Sequence, residues 1–338
     1  MRALQLTGYG DNRKLELTEV AKPEAAAGEV LVKVAYAGLN PVDYKTRSGQ
    51  LRAILPYKMP QRMGNEISGE VEAVGAGVTR FAPGDKVMAR LSKERMGGFA
   101  DYVAFDAALA TAQPQSIGAD VAAGVPLVSL TAWQCLFEYG KVGKGSKVLI
   151  HAGAGAVGRI AIQLAKNAGA TVATTVSERG REVVQALGAD IIINYKEQNF
   201  AQELRDYDFV LDAVGGATLM KSFAVLRRGG KLCSIAGVPE PRTAGDLGKN
   251  PILTILYGGL FTLMSLPMLI TGLIRGVGYR FVFMRPDGEQ LRAIAEQIDS
   301  GRLQVDVARE YRLEEYAAAF DDLEHATTSG KLVFNIAG

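Results

Sequence analysis

The chain has 338 residues, of which 48% are hydrophobic and 22% charged, with a formal net charge of +2. This length predicts about two domains with ordinary hydrophobic cores. Without a Lys/Arg run, the near-neutral charge argues against a nucleic-acid partner. The two distant cysteines, Cys135 and Cys233, exclude a disulfide framework. The amino-terminal residues contain no apolar signal-peptide core, so we expect a cytoplasmic protein.

The first 125 residues or so are β-rich: short β-branched runs are separated by Gly and Pro, and no helix-periodic stretch precedes about Gly124. Beyond Val125, continuous apolar runs alternate with helical segments. Strands are predicted at 147–150, 171–176, 191–193, 209–212 and 231–235, and helices at 157–168, 181–187, 200–205 and 217–226. Continuous apolar strands joined by helices indicate a doubly wound α/β domain with a parallel sheet covered on both faces.

The carboxyl-terminal part departs from this alternation. We predict a strand at 279–284, helices at 288–300 and 314–323, and a last strand at 331–336. We expect this tail to pack back on the first domain. The predicted domains are therefore 1–124 together with 286–338, and 125–285, the latter with an apolar insertion at about 245–278.

The segment 251–274 carries no charged side chain and is long enough to cross a bilayer. Gly258, Gly259, Pro267 and Gly272 interrupt it, which favours one or two short helices, a broken pair, over one continuous helix. A true span would separate the strands of one sheet. We therefore expect a buried insertion beside the active-site cleft or the dimer interface, where it would cover an apolar substrate, with a peripheral membrane contact as the alternative.

A glycine motif follows the strand at 147–150. Gly153, Gly155 and Gly158 form G-x-G-x-x-G before a predicted helix that begins near Ala156 and Val157. The glycines serve a tight turn, close approach of the backbone to a pyrophosphate, and close helix–strand packing. The helix amino terminus then holds the pyrophosphate. This context predicts a dinucleotide site on a Rossmann fold.

The end of the next strand distinguishes NAD from NADP. Ser177 stands 19 residues after Gly158, where an acidic residue would bind the ribose of NAD. A serine leaves room for a 2′-phosphate without repelling it, and Arg179 and Arg181 offer charge-assisted hydrogen bonds to that phosphate. The neighbouring Glu178 is expected to point away. The sequence therefore predicts NADP(H).

Several further motifs resemble the zinc-independent members of the medium-chain dehydrogenase/reductase superfamily, in the quinone oxidoreductase group. They include AGLNPVDYKTRSG, GNEISGEVEAVGAGVTRFAPGDKV, GGFADYV, LGADIIINY, DAVGG and the carboxyl-terminal GKLVF. The resemblance extends over nearly the whole chain, except for about 245–280. The resemblance implies a β-rich GroES-like catalytic domain beside the Rossmann domain. It also implies a homodimer that pairs along the strand at 279–284, an exposed edge.

The resemblance assigns roles by position. Zinc-dependent relatives have a cysteine ligand where Asn40 stands and a histidine ligand where Asn65 stands, and neither amide can replace them, so we expect no metal. In relatives, the residue that matches Asn40 faces the nicotinamide pocket and the residue that matches Thr131 contacts the nicotinamide. The tyrosine that matches Tyr195 approaches the 2′-phosphate. The resemblance implies the same roles here. Leu51 stands where many quinone oxidoreductases carry a tyrosine, so the nearby Tyr44 and Tyr57 are the possible substitutes, and Tyr44 is taken as the candidate proton donor.

These residues predict an NADPH-dependent reductase that transfers hydride to a small electrophilic substrate, a quinone or an α,β-unsaturated carbonyl. Asn40 is a candidate donor to the developing enolate. The alternatives are a non-catalytic, crystallin-like NADPH-binding protein and a zinc alcohol dehydrogenase. The sequence does not distinguish between quinone and enone substrates.

Overall fold

The computed structural model describes residues 1–247, 250–325 and 328–338. Two compact units are present. The first consists of Met1–Leu130 with Arg285–Gly338, and the second of Thr131–Met284. Each unit has a hydrophobic core of its own.

The amino-terminal part of the first unit is mainly β. Its strands are β1 (Arg2–Leu6), β2 (Leu15–Glu19), β3 (Glu29–Leu39), β4 (Gln61–Arg62), β5 (Glu66–Val74), β6 (Lys86–Arg90), β7 (Tyr102–Asp106) and β8 (Ala110–Ala112), and its helices are α1 (Pro41–Ser48), α2 (Ala119–Ala123) and the start of α3 (Pro126–Trp133). The sequence pattern did not predict α1 and α2, which are too short to show a helical period. Helix α1 is defined by its amino end instead, where Pro41 follows Asn40 and the Asp43 carboxylate accepts the Asn40 N–H at 2.8 Å.

The second unit alternates strands and helices, after a π-helical turn at Gln134–Tyr139. Its strands are β9 (Lys147–Ile150), β10 (Thr171–Val176), β11 (Ile191–Asn194), β12 (Tyr207–Asp212), β13 (Leu226–Ser234) and β14 (Gly278–Phe281), and its helices are α4 (Ala156–Asn167), α5 (Arg181–Ala186), α6 (Phe200–Glu203), α7 (Gly216–Ser222), α8 (Thr243–Asp246) and α9 (Pro251–Arg275). The strands form a parallel sheet in the order β11-β10-β9-β12-β13-β14. This is the Rossmann order, and it confirms the predicted doubly wound α/β fold.

The carboxyl-terminal residues complete the first unit with α10 (Gly288–Asp299), β15 (Arg309–Arg312), α11 (Tyr316–His325) and β16 (Leu332–Asn335). Strand β16 pairs antiparallel with β3, so that Leu332 lies opposite Leu39. The resulting seven-stranded sheet has the order β15-β16-β3-β5-β6-β8, with β7 also paired to β3, and a three-stranded sheet β2-β1-β4 stands beside it. This pairing brings Lys331 next to residues at the end of β3.

The apolar segment forms the single helix α9 and not the predicted broken pair. Asn250 caps its first turn by accepting the Leu253 N–H at 2.9 Å, and Gly276 ends it in a left-handed conformation with φ of 66°. Pro267 lies inside the helix but removes only one backbone donor, and Leu, Ile and Met dominate the other positions. The expected burial is wrong as well, because only four residues of α9 are buried.

Candidate functional site

The glycine loop follows β9 directly and leads into α4, with Gly155 as the residue before the first helical turn. A Cβ atom on Gly153 would lie 2.0 Å from Thr174 Oγ1, and one on Gly158 would lie 2.4 Å from the Ala152 carbonyl oxygen. At Gly155 the nearest atom would be 3.2 Å away. The first and third glycines are thus required by internal packing, whereas the second is less crowded. This loop, with Ala156 and Val157 at the helix start, fits a pyrophosphate on the free N–H groups of α4.

The charged residues after β10 differ in what they contact. Arg181 donates from Nε to both carboxylate oxygens of Glu178, at 3.1 and 3.0 Å. Arg179 is exposed, and among the described residues its guanidinium has no hydrogen bond or ion pair. Ser177 is half-buried at the strand end, and its side chain does not cap the following turn. Arg179 is therefore the cation available to a 2′-phosphate, while Arg181 neutralises the neighbouring carboxylate.

A cleft of about 660 Å³ opens at the carboxyl ends of β9 to β12 within the second unit. Its lining includes Ala152 of the glycine loop, Tyr195, Lys196 and Lys221. Tyr195 is 58% exposed, so its ring is free to contact a ligand. Ligands of open α/β sheets bind at this end of the strands. The cleft therefore offers an aromatic ring and two ammonium groups next to the glycine loop.

His151, which also lines this cleft, is buried and neutral. Its Nε2 lies 2.9 Å from Ser222 Oγ, and its Nδ1 lies 2.9 Å from Thr175 Oγ1. Ser222 already donates its hydroxyl proton to the Thr218 carbonyl, so the network assigns the imidazole proton to Nε2. Burial lowers the pKa of His151 to about 4, against a weaker opposing effect of Asp212. His151 is thus a fixed packing residue of the sheet.

In the first unit, Asn40 belongs to a closed polar network. Its Nδ2 donates to Glu66 Oε1 at 2.6 Å, and its Oδ1 accepts from Lys331 Nζ at 2.6 Å. Lys331 donates in addition to the Glu66 carboxylate and, at 3.1 Å, to the Leu39 carbonyl. The second oxygen of Glu66 accepts the Leu127 N–H at 2.5 Å. A buried ion pair is stable only when further hydrogen bonds satisfy both ions, as they do here.

A second group of buried polar residues adjoins the first. Asp43 accepts from Asn65 Nδ2 at 2.6 Å as well as from the backbone of Asn40. Burial raises the pKa of Asp43 to about 6, and the two hydrogen bonds act against it. The Arg90 guanidinium donates to the carbonyls of Asn65 and Leu91, and burial lowers its pKa. Both amides at the positions of the zinc ligands are therefore held by neighbouring side chains.

The close packing around Glu66 extends to the backbone. A Cβ atom on Gly38 would lie 2.4 Å from Glu66 Oε1, so glycine is needed for the carboxylate to sit beside β3. Within the described parts of the chain, no group of three or more His, Cys, Asp or Glu residues could hold a metal ion. The expectation that the protein works without a metal stays a prediction, which metal analysis tests.

The remaining predicted residues lie as follows. Tyr44 is half-buried on α1 and packs against the core of the first unit. Burial, and to a lesser degree Glu324, raises the pKa of its phenol. Thr131 is buried on α3 in the second unit, with the glycine loop, Ser177, Arg179 and Tyr195. Asn40, which immediately precedes α1, and Tyr44, within α1, lie close together in the first unit. The residues other than Asn40 that are predicted to bind the cofactor lie in the second unit.

Sequence reasoning missed Glu66, Lys331 and Asp43. Glu66 and Lys331 are 265 residues apart, and no local pattern links them. One signal was present: Glu66 is the first residue of β5, where it is followed by buried residues, and Lys331 directly precedes the buried apolar residues of β16. A charge that borders a buried strand is a candidate for an internal ion pair.

Two family models match the chain. The alcohol dehydrogenase GroES-like domain matches residues 26–115, and the zinc-binding dehydrogenase model matches residues 187–334. The NAD(P)H oxidoreductase RTN4IP1, mitochondrial, of Danio rerio is 30% identical over 360 residues, covering 99% of this chain and 91% of the relative. The NADPH-dependent alkenal/one oxidoreductase, chloroplastic, of Arabidopsis thaliana is 32% identical over 345 residues, covering 98% and 79%.

A solved structure is similar over the whole chain. The quinone oxidoreductase from Coxiella burnetii superimposes with a TM-score of 0.85 at 31% identity, and the alignment covers 99% of both chains. The match includes both a GroES-like and a Rossmann part, as the sequence predicts.

One prediction from the sequence is wrong by this comparison. The chain was expected to be cytoplasmic, yet the relatives that match nearly its whole length are named as mitochondrial or chloroplastic proteins. The expectation rested on the lack of an apolar signal-peptide core, which bears on secretion and not on these organelles.

The identity to these relatives over 98–99% of the chain, with the glycine loop and the fold, settles the family. As the sequence predicts, the chain belongs to the zinc-independent medium-chain dehydrogenase/reductase superfamily, in the quinone oxidoreductase and enone reductase group, and it is an NADP(H)-dependent oxidoreductase.

Proposed function

We propose that the protein uses NADPH to reduce quinones or α,β-unsaturated carbonyls without a catalytic metal ion. The observation that carries this proposal is that both amides are already engaged: Asn40 by Glu66 and Lys331, which supplies the positive charge there, and Asn65 by Asp43. Amides held in this way are poor ligands for zinc. A substrate that accepts hydride without a Lewis acid must be electron-poor by itself, which fits these two substrate classes.

The second unit is proposed to bind the cofactor. The backbone at Gly155 and the amino end of α4 would hold the pyrophosphate. Ser177 and the unpaired Arg179 would bind the 2′-phosphate, with Tyr195 beside them. The bound cofactor supplies the hydride. Thr131 is proposed to contact the nicotinamide, the role that the family resemblance implies for it.

The first unit is proposed to act on the substrate. The phenol of Tyr44 carries its proton at neutral pH, and burial raises its pKa further, so we propose that it protonates the carbanion or enolate that hydride addition leaves. Asn40 keeps its proposed place at the nicotinamide. Its amide is bonded to Glu66 and Lys331, so we assign it mainly a positioning role in that unit.

A panel of quinones, enones and alkenals, followed by NADPH oxidation, tests the proposal. We expect turnover with at least one class after extensive dialysis against a chelator, with no stoichiometric zinc by mass spectrometry. NADPH binding without turnover on any acceptor would support the non-catalytic alternative. Zinc that is required for activity would support the alcohol dehydrogenase alternative.

A homodimer is proposed through β14, which is the edge strand of the six-stranded sheet. An exposed edge presents unpaired backbone groups, and pairing two such edges about a two-fold axis satisfies both. Light scattering should give twice the mass of the 36.0 kDa chain at micromolar concentration. A monomer under these conditions would contradict this part of the proposal.

A further inference from the structure

Helix α9 exposes a large apolar surface. Eleven of the fifteen exposed large apolar side chains in the described parts of the chain belong to it, with exposed fractions from 37% to 83%. They are Ile252, Leu253, Ile255, Leu256, Leu260, Leu263, Met264, Leu266, Ile270, Leu273 and Ile274. A soluble monomer rarely exposes so large a continuous apolar patch, so this surface has a partner.

The helix is fixed to the protein along one narrow stripe. Its buried residues, Phe261, Ser265, Met268 and Gly272, recur at spacings of three and four and therefore share one face. Met268 packs into the core of the second unit, and a Cβ on Gly272 would lie 2.7 Å from the Val277 carbonyl oxygen. The other side chains of the helix are exposed or half-buried.

The serine and threonine hydroxyls of α9 are satisfied within the helix. Each of its Ser and Thr hydroxyls donates to the carbonyl four residues earlier: Thr254 to Asn250, Thr262 to Gly258, Ser265 to Phe261 and Thr271 to Pro267. Interfaces between proteins form about one hydrogen bond per 100–200 Å² and have a polar rim. A surface whose serine and threonine hydroxyls are already bonded internally suits a partner that offers no hydrogen bonds, which is the hydrocarbon of a lipid bilayer.

Exposed cations mark one end of this surface. Arg275 is the last helical residue, and Arg228 lies nearby, since its guanidinium is 3.4 Å from where a Cβ on Gly276 would stand. The adjacent Arg227 is also exposed, although it pairs with Asp208. The segment from Pro251 to Ile274 contributes no opposing carboxylate. Guanidinium groups at the border of an apolar surface are placed to contact the phosphates of anionic lipids.

We propose that α9 is a membrane-docking surface, which lies in the interface of an anionic lipid bilayer with its exposed apolar side chains among the acyl chains. By length and composition it is the one helix among the described residues that could cross a membrane. It lies on the surface and does not span, because it joins the paired parallel strands β13 and β14 of one sheet and buries a stripe against that unit. This proposal does not rest on the proposed function.

Vesicle flotation tests this docking. The full-length protein is mixed with vesicles of phosphatidylcholine, either alone or with roughly a third of phosphatidylglycerol. The test variant combines Ile255→Glu, Leu263→Glu and Leu273→Glu, at positions that are 72–83% exposed. The control combines Ile191→Glu and Met220→Glu, at exposed apolar positions outside α9.

We expect the natural protein and the control to float with the anionic vesicles, and the triple variant to bind at least about ten-fold less. Reduced flotation on phosphatidylcholine alone would support the role of the arginines. The proposal is overturned if the natural protein stays at the bottom with both vesicles, or if the triple variant floats as well as the natural protein. It is also overturned if the triple substitution lowers the mass measured by light scattering without lipid, because the surface would then be an interface between copies of the chain.

Discussion

Nζ of Lys331 lies 2.6 Å from Oδ1 of Asn40, and the same ammonium forms a buried ion pair with Glu66. Replacing Lys331 with Met would leave the Glu66 carboxylate buried and unpaired. Removing one partner of a buried pair costs about 3–5 kcal/mol. We expect Lys331→Met to lower the free energy of unfolding by that amount, measured by urea denaturation.

The double variant Lys331→Met with Glu66→Gln provides the control. A neutral amide at position 66 removes the unpaired charge, so the double variant should be more stable than Lys331→Met alone. If Lys331→Met changes the stability by less than about 0.5 kcal/mol, the ion pair does not stabilise this unit.

The unpaired Arg179 and the paired Arg181 give a matched comparison for the cofactor. We expect Arg179→Ala to weaken NADPH binding by about 1–3 kcal/mol, the range for a hydrogen bond to a charged group, and to leave NADH binding nearly unchanged. Arg181→Ala should have a smaller effect, because that guanidinium already binds Glu178. Calorimetric titration with both cofactors measures the difference, and equal losses for NADPH and NADH would contradict the assignment.

The three glycines of the loop should respond differently to alanine. A Cβ at Gly153 meets Thr174 Oγ1 at 2.0 Å, so Gly153→Ala should destabilise the protein by about 1–3 kcal/mol through overpacking. At Gly155 the nearest atom, the Ala152 carbonyl oxygen, is 3.2 Å away and has to move only by a few tenths of an ångström, so Gly155→Ala should cost less stability than Gly153→Ala. The methyl group at position 155 would instead obstruct the pyrophosphate and weaken NADPH binding. Thermal unfolding and cofactor titration separate the two effects; normal NADPH affinity in Gly155→Ala would place the cofactor elsewhere.

The buried, neutral His151 makes stability depend on pH. Its pKa is lowered from 6.5 to about 4 in the folded protein, so the unfolded chain binds its proton first as the pH falls. The contribution of the neutral His151 to the free energy of unfolding is therefore fully present above pH 6.5. It declines by roughly 3 kcal/mol as the pH falls to about 4. In His151→Gln this decline should be absent.

The comparison of the natural protein with His151→Gln isolates this effect. Asp43, whose pKa is raised to about 6, acts in the opposite sense over an overlapping range, but it is present in both proteins and cancels. Denaturant unfolding at several pH values between 4 and 7 measures the difference. Parallel curves for the two proteins would show that His151 does not titrate as proposed.

The glycine loop could be predicted in detail because all of its determinants are local. Gly153, Gly155 and Gly158 lie within six residues, between a strand and a helix that the apolar pattern also predicts. Arg179 could likewise be named from its distance to the loop. The sequence could not show which of Arg179 and Arg181 is unpaired, because that depends on which guanidinium reaches the Glu178 carboxylate.

The polar network and α9 could not be predicted for different reasons. The network joins residues of β5, α1 and the end of the chain, and only tertiary pairing of β16 with β3 brings them together. In α9, the pattern of Pro267 and the glycines suggested a break, but caps at both ends and strong helix formers outweigh one missing hydrogen bond. Its exposure depends on the packing of the whole unit, which periodicity does not reveal.

The position of Lys331 in the chain has a consequence for synthesis on the ribosome. The second unit is one continuous stretch, Thr131–Met284, and all of its strands have been translated before α10 begins. The first unit needs β16, which emerges last, and until then Glu66 has no ammonium partner. The nascent chain therefore completes its second unit first, and its amino-terminal strands wait for the final residues before their buried charge is neutralised.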